Sequence, residues 1–264
     1  MSANIHPTAI VQPGAKLNES VQIGPYCLVD AEVEIGENTV LQSHVVIKNN
    51  TTIGKNNVIY PFASLGQVPQ DLKYEGEKTF LTIGDGNVIR ESVTMGIGTN
   101  GGGGHTKIGN NNLFMALTHV GHDTHIGDHN VFANSATMAG HVEIGNNATL
   151  GGLSAVHQFT RVGDHAMVGG MTAVDRDIIP YGVVSGDRGI LAGLNLRGLK
   201  RRGFEKARIA KLREYYSLIF EENEGTLEER LQAVWLENQS CEDLNLWRDF
   251  IKNSSRGMSM PSRV

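Results

Sequence analysis

At 264 residues and 40% hydrophobic content, the chain can bury a core without disulfides. Glycine is abundant (32 residues) and aromatics are sparse (6%), which points to a thin core of small aliphatic side chains with many tight turns. The formal net charge of -5 argues against bulk nucleic-acid binding. The two distant cysteines, Cys27 and Cys241, argue against a disulfide framework or a cysteine-built zinc site. There is no secretory leader pattern and no run approaching the roughly 18 apolar residues of a membrane span, so a cytoplasmic protein without stable membrane insertion is expected.

From Ile5 an aliphatic recurs every sixth residue through Leu65, returns at Ile83, Ile89 and Met95, and runs again from Ile108 to Val174, 26 positions in three series. Four residues after each stands a mostly small side chain, as at Ala9, Ala15, Cys27, Ala136, Ala148 and Ser154, and glycine often follows the aliphatic directly. Twenty-six matches in register exclude chance alternation in an ordinary sheet. The pattern predicts a parallel β-helix of hexapeptide repeats, three units to a triangular coil, with the aliphatic inward and Gly or Asn at the special turn angles. Nearly nine coils spaced by about 4.8 Å make a prism roughly 40 Å long. The general crossover rule favours a right-handed winding. Resemblance to hexapeptide-repeat proteins implies a left-handed one.

The two register breaks, after Leu65 and over Gly96 to Lys107, are loops that leave the coil. An excursion from so strict a repeat points to function. The pattern ends near Pro180, and from about Gly189 the text turns charged and helical. Helices are predicted over 206–221, from a Thr226–Glu229 capping box to about Glu237, and over 242–253, followed by a frayed tail over 254–264. The organisation expected is a β-helix domain over 1–188 and a helical domain over 189–264.

Residues 18 apart in such a coil are neighbours, so linear positions become columns. His122, Gly140 and Gln158 form one column, and Asp123, His141 and Phe159 the next, with His157 flanking and His119 three residues before His122. Imidazoles, a carboxylate and an amide thus meet at one corner. A solvated face with this many imidazoles is unusual. Two chemistries fit: a zinc site on stacked histidines, or general acid–base work by His122 with Asp123 orienting it. The geometry leaves both open.

The segments Pro69–Tyr74, Ile89–Thr94, His119–Asp123, Ala139–Val142, Ala155–Phe159 and Gly198–Phe204 resemble the UDP-N-acetylglucosamine acyltransferases that begin lipid A biosynthesis, and the likeness runs along nearly the whole chain. The resemblance implies a homotrimer with three sites in clefts between prisms, and transfer of a 3-hydroxyacyl group from acyl carrier protein to the 3-position of the UDP-sugar. His122 is then the general base, Asp123 its orienter, and the Gly140 N–H the donor to the thioester oxyanion. Gln70, Asp71, Lys73, His119, His141, Gln158 and Asn195 bind substrate. Arg201 and Arg202 lie near the nucleotide and the carrier's phosphopantetheine arm. Gly170 and Arg188 bear on acyl-chain length. The chemistry fits: a sugar hydroxyl needs a base, a thioester is already activated, and no serine or cysteine stands in a nucleophile motif. Neither metal nor cofactor is called for, and no acyl-enzyme is expected.

Three places depart from the family pattern. Met95–Thr99 reads Met-Gly-Ile-Gly-Thr where a histidine and an arginine are usual, Ala116–Thr118 lacks a common asparagine, and Asp187–Arg188 replaces Asn-His. The first two lie close to the catalytic histidine and admit a 3-amino sugar analogue as acceptor, with amide formation. A γ-type carbonic anhydrase-like zinc β-helix is the alternative from another class. A later N-acyltransferase of the same pathway is disfavoured because the hexads begin at Ile5. A purely structural β-helix gives no reason to gather His and Asp at one corner.

Overall fold

The computed structural model describes residues 3–48 and 50–262. Met1 and Ser2 of the leader reading, Asn49, and Arg263 and Val264 of the expected tail lie outside the described residues. Each of the 26 sixth-position residues ends or lies within a short strand, and the strands stack into three parallel faces. The first face begins with Asn4–Ile5 over Gln22–Ile23, the second with Ile10–Val11 over Leu28–Val29, the third with Lys16–Leu17 over Val33–Ile35. The winding is the left-handed β-helix. From Ile23 to Val174 the inward residues are at most 5% exposed, whereas Ile5, in the first described coil, is 40% exposed. Both register breaks are excursions from the stack: Ile53 pairs with Ile83, and Met95 with Val120, across the extra residues.

Two expectations about the turns change. The residues that take the left-handed backbone stand three positions after most inward aliphatics; Asn38, Asn56, Asn111 and Asn147 are among them as expected, but so are Tyr26, Phe62, Leu117, Asp123, His141 and Phe159, with φ of 58°, 66°, 64°, 57°, 60° and 64°. The glycine that follows the aliphatic serves close approach instead, for a Cβ on Gly24 would lie 2.6 Å from the Gln42 carbonyl oxygen of the next coil. The small position four residues on also carries a polar column. Asn57, Asn87, Asn112 and Asn130 are buried there. Each Oδ1 accepts the backbone N–H one coil further, as from Asn87 to Asn57 (2.8 Å) and Asn130 to Asn112 (2.8 Å), and each Nδ2 donates to a carbonyl such as Gly127 O (3.0 Å). The column satisfies backbone groups that the corner would otherwise bury unpaired.

The coil closes with Gly182–Ser185 on the first face, against which Ile190–Leu194 turns back antiparallel. That strand and the short helix α1 (Leu196–Arg201) stand where only longer helical text was expected. Then come α2 (Lys206–Tyr216), widening into a π turn over Ser217–Glu221, α3 (Leu227–Glu237) with its Thr226–Glu229 capping box formed, and α4 (Glu242–Lys252). The tail is not frayed across its described part. Asp177 N–H donates to Gly257 O (2.9 Å), Ser259 N–H to Asp177 O (2.8 Å) and Leu191 N–H to Met260 O (3.1 Å), with Met258 and Ser259 buried. Apolar Met258 gives the segment a reason to dock that its polar neighbours conceal.

Candidate active site

The second face carries His119 in a strand stacked on Thr94 and under Thr137, and the chain then turns the corner at His122 and Asp123 onto the third face at His125. The corner places Asp123 with its carboxylate fully enclosed and His122 above it with a side chain 14% exposed. His122 Nδ1 lies 2.8 Å from Asp123 Oδ2. The other side of the ring faces Gly140, where an added Cβ would sit 2.6 Å from Cε1 and Nε2. Only glycine therefore lets the imidazole lie flat against the next coil. The Gly140 N–H enters no backbone pairing among the described residues, and its carbonyl accepts Phe159 N–H.

The loop over 96–104 folds back and closes on Asp123. Thr99 N–H donates to Oδ1 at 2.8 Å and the Thr99 hydroxyl to Oδ2 at 2.6 Å. Gly102 presses against the same carboxylate so closely that a Cβ there would be 2.1 Å from Asp123 Cγ. Beneath, Thr106 Oγ1 accepts the Asp123 N–H at 2.8 Å. Burial opposes ionisation of Asp123, but the Thr99 hydroxyl, the His122 ring and the Thr99 N–H together hold its carboxyl below the usual range. His119, bonded at Nδ1 to Thr94 Oγ1 (2.7 Å), has a lowered pKa because of burial and then the neighbouring His122. His141 stacks on Phe159 (centroids 4.4 Å) and meets His122 edge-on (4.9 Å). Burial lowers its pKa as well, partly offset by Asp123.

His119, His122, Gly140, Gln158 and Gln70 line one cleft of about 420 Å³, which Gln67, Val68 and Gly96 help to wall. Asp71 stands close enough for its charge to raise the pKa of His141, and Asp71 Oδ1 accepts the Lys73 N–H at 3.0 Å. His157, exposed, turns Nδ1 to Gln158 O instead. The remaining expected site residues lie on other edges of the same prism. Asn195 and Arg202 sit at the corner between third and first faces: Asn195 Nδ2 donates to His165 O (2.9 Å), its Oδ1 caps α1 at Gly198 N–H, and Arg202 reaches Asn147. Arg201 is exposed beside it. Gly170 lies beside Gly152 at the corner between first and second faces, and the exposed Arg188 pairs with Asp175 at 3.5 Å. Thr94, Thr99 and Thr106 were not foreseen. Thr94 stands in a column with His119 only once the length of the intervening loop is known, and nothing in the linear text marks Thr99.

His122, Asp123 and His141 bring three donor atoms within 4.8 Å of one another, a spacing that a metal ion could use. Yet His122 Nδ1 and Asp123 Oδ2 already bond each other, and the carboxylate also accepts twice from Thr99. A cation at these atoms would have to break the pair. The donor set fits a base and its orienter better than a zinc site.

A stacked hexapeptide coil with a carboxylate-backed histidine in a side cleft defines an acyltransferase of the hexapeptide-repeat class, and the hexapeptide transferase model matches residues 14–49, 32–67 and 105–140. A second model, described as domain 2 of UDP-N-acetylglucosamine O-acyltransferase, matches residues 177–259. The chain belongs to the UDP-N-acetylglucosamine O-acyltransferase family. It is 46% identical, over 99% of its length and 96% of the relative's, to the acyl-(acyl-carrier-protein)–UDP-N-acetylglucosamine O-acyltransferase of Rhizobium johnstonii, and 45% identical, over 96% and 98%, to that of a Janthinobacterium strain. The crystal structure of UDP-N-acetylglucosamine O-acyltransferase from Moraxella catarrhalis superposes with a TM-score of 0.93 at 46% identity, covering 97% of this chain and 99% of that one.

Proposed function

We propose that the protein transfers a 3-hydroxyacyl group from acyl carrier protein to the 3-hydroxyl of UDP-N-acetylglucosamine, the first step of lipid A biosynthesis, in the cytoplasm. The relatives' activity supports the reaction. The observation that carries the mechanism is the 2.8 Å bond between His122 Nδ1 and the buried Asp123 carboxylate, set beside Gly140 in an open cleft. With Nδ1–H held by Asp123, Nε2 is the basic nitrogen. It takes the proton of the sugar hydroxyl as that oxygen attacks the thioester carbonyl. The Gly140 N–H donates to the resulting oxyanion, an interaction whose loss typically costs about 3 kcal/mol. On collapse the C–S bond breaks, and His122 returns its proton to the thiolate of the carrier arm. The buried negative charge of Asp123 stabilises the imidazolium between those two steps. Sugar binding falls to Gln70, Asp71, Lys73, His119, His141 and Gln158 around the cleft.

Asn195, Arg201 and Arg202 stand on another edge of the prism, so they serve the reaction from a neighbouring copy. A homotrimer of parallel prisms brings that edge against the histidine corner. In this arrangement residues 1–188 hold the base, and 189–264 present a basic patch to phosphate and to an acidic carrier. Gly96, whose added Cβ would only touch the His122 backbone at 3.7 Å, and Ile97 bring no polar side chain to this wall of the cleft, and on that ground the 3-amino analogue is kept as a second acceptor. Competition between the two UDP-sugars separates the readings.

The test is His122→Ala, which should lower turnover by roughly 10²–10⁴-fold with the fold intact. Near wild-type turnover at saturating substrate would remove His122 as the base. Sedimentation should give about 86 kDa, three times 28.6 kDa. A fully active monomer would end the shared-site reading.

A further inference from the structure

The helical end of the chain is fastened to the coil by a polar cluster that plays no part in the chemistry above. Tyr181, buried at the last corner, holds φ of 69°, the left-handed backbone that Tyr26, Phe62 and Phe159 take at theirs. Its hydroxyl donates to Asp243 Oδ1 on α4 at 2.7 Å. Arg208 on α2 forks onto the same carboxylate, Nε to Oδ2 at 2.8 Å and Nη2 to Oδ1 at 2.7 Å. Burial opposes the Asp243 charge, but Arg208 and Tyr181 hold the carboxyl below its usual range. The Arg208 guanidinium also lies 4.4 Å over the Phe204 ring, which packs edge-on against Tyr181 (5.9 Å) and His165 (5.1 Å).

This cluster holds both ends of α1. Before the helix, Asn195 N–H donates to Tyr181 O at 2.7 Å. After it, Phe204 is gripped between Tyr181 and Arg208, two residues beyond Arg202. A helix of six residues has little direction of its own. Its direction is set by these two anchors together with the Asn195 cap, the buried Leu199 and the Arg202 bonds to Asn147, and with it the aim of Arg201 and Arg202. The Arg208 side chain is 45% exposed while Asp243 is nearly enclosed, and a pair open to solvent on one side contributes little to stability by charge alone. A bidentate fork does fix an angle.

We infer that Tyr181, Arg208 and Asp243 are positioning residues for the transfer reaction. They set the angle at which Arg201 and Arg202 meet a phosphate ester, that of the sugar nucleotide or that of the carrier arm, while touching neither. The inference rests on the reading of those arginines given under the proposed function.

Tyr181→Phe removes only the hydroxyl and keeps the ring. It should raise KM by roughly three- to thirtyfold with kcat within about twofold, because an interaction felt equally in ground and transition states is weakened. Asp243→Asn, similar in size but uncharged, should shift KM in the same direction. Circular dichroism and sedimentation confirm that each variant is folded and assembled. Separate titrations of UDP-N-acetylglucosamine and of acyl carrier protein tell which phosphate is served. In an Arg202→Ala background Tyr181→Phe should add little, since the group it positions has gone. The inference fails if both variants leave both KM values unchanged while Arg202→Ala raises one. It fails too if the Tyr181→Phe shift persists in full on Arg202→Ala, or if kcat falls with KM unmoved. If Arg202→Ala and Arg201→Ala themselves leave both KM values unchanged, the arginine reading fails and takes this inference with it.

Discussion

Thr99 gives the sharpest test of how the site is held. Thr99→Val keeps the shape and the backbone N–H bond to Asp123 but removes the 2.6 Å hydroxyl bond to Oδ2 and the acceptor for Gly102 N–H (3.2 Å). A hydrogen bond to a charged group contributes about 1.5–3 kcal/mol, and the variant should lose about that much stability. The bond exists in the resting enzyme too, so only the part that changes as His122 gains charge reaches the rate. Taking roughly half, about 0.7–1.5 kcal/mol, predicts a three- to twelvefold fall in kcat/KM. The sign with pH follows from the same contact. Hydrogen bonds depress the Asp123 pKa; removing one lets it rise toward the unfolded value, so the stability that the ionised carboxylate contributes, present at neutral pH and lost on acidification, should be smaller in the variant. The assay is acyl transfer from acyl carrier protein over pH 5 to 9 with a melting curve for each variant. Thr99→Ser, which keeps the hydroxyl, should recover most of the rate. If Thr99→Val melts lower yet holds kcat/KM within a factor of two at every pH, Thr99 anchors the loop without bearing on the base.

Gly170→Met should shift donor preference toward shorter chains. An added Cβ there lies 3.3 Å from the Gly152 carbonyl oxygen, so that backbone must give by a few tenths of an ångström, and a melting curve checks that the variant folds; the wild-type protein should favour donors of about 12 to 14 carbons or more, each buried CH₂ contributing about 0.8 kcal/mol. A wild-type preference for ten carbons, unchanged in the variant, would show that this position does not measure the chain. Asn112→Ala strips the Nδ2 bonds to Asn87 Oδ1 and Gly127 O and the Oδ1 bond from Asn130 N–H inside a sealed column. Asn87 Oδ1 keeps the Asn112 N–H, so two groups are left unpaired, and at about 1–3 kcal/mol each the variant should cost at least about 2 kcal/mol in a denaturant titration, whereas a loss below about 1 kcal/mol would mean that water enters the corner. His119, His141 and His165 all have pKa values lowered from 6.5 by burial. The unfolded chain therefore binds protons first on acidification, and stability should fall as pH drops below about 6.5, down to the lowered folded values. A melting temperature that is flat or rising between pH 7 and 5.5 would contradict this.

The coil was legible because its physics is periodic. One aliphatic every six residues fixes both the inward face and the columns, so His122, Gly140 and Gln158 were already neighbours in the sequence. What the period cannot carry was lost. Glycine after Ile23 was read as a turn residue because loose backbone angles are its commonest use; here the next coil passes too close for a Cβ, and Tyr26 makes the turn. Thr99 reaches Asp123 through a loop whose path depends on its own packing. The strand Ile190–Leu194 and the docked tail at Met258 draw their order from the last coil, a surface that exists only after the stack has formed.

The exposed Ile5 gives the stack a direction in time as well as in space. Each coil rests on its neighbours, and the first described coil leaves Ile5 40% exposed, while the last is closed by an antiparallel strand, the helices and the tail. Opening should therefore begin at the amino-terminal end and travel inward one rung at a time, like a zip with a single free end. Amide exchange should be fastest in the coil of Ile5, slower by Ile23, and slowest around Val120 and Met138. The histidine corner lies several rungs from that open end. Fraying of the outermost turn should therefore leave His122 against Asp123.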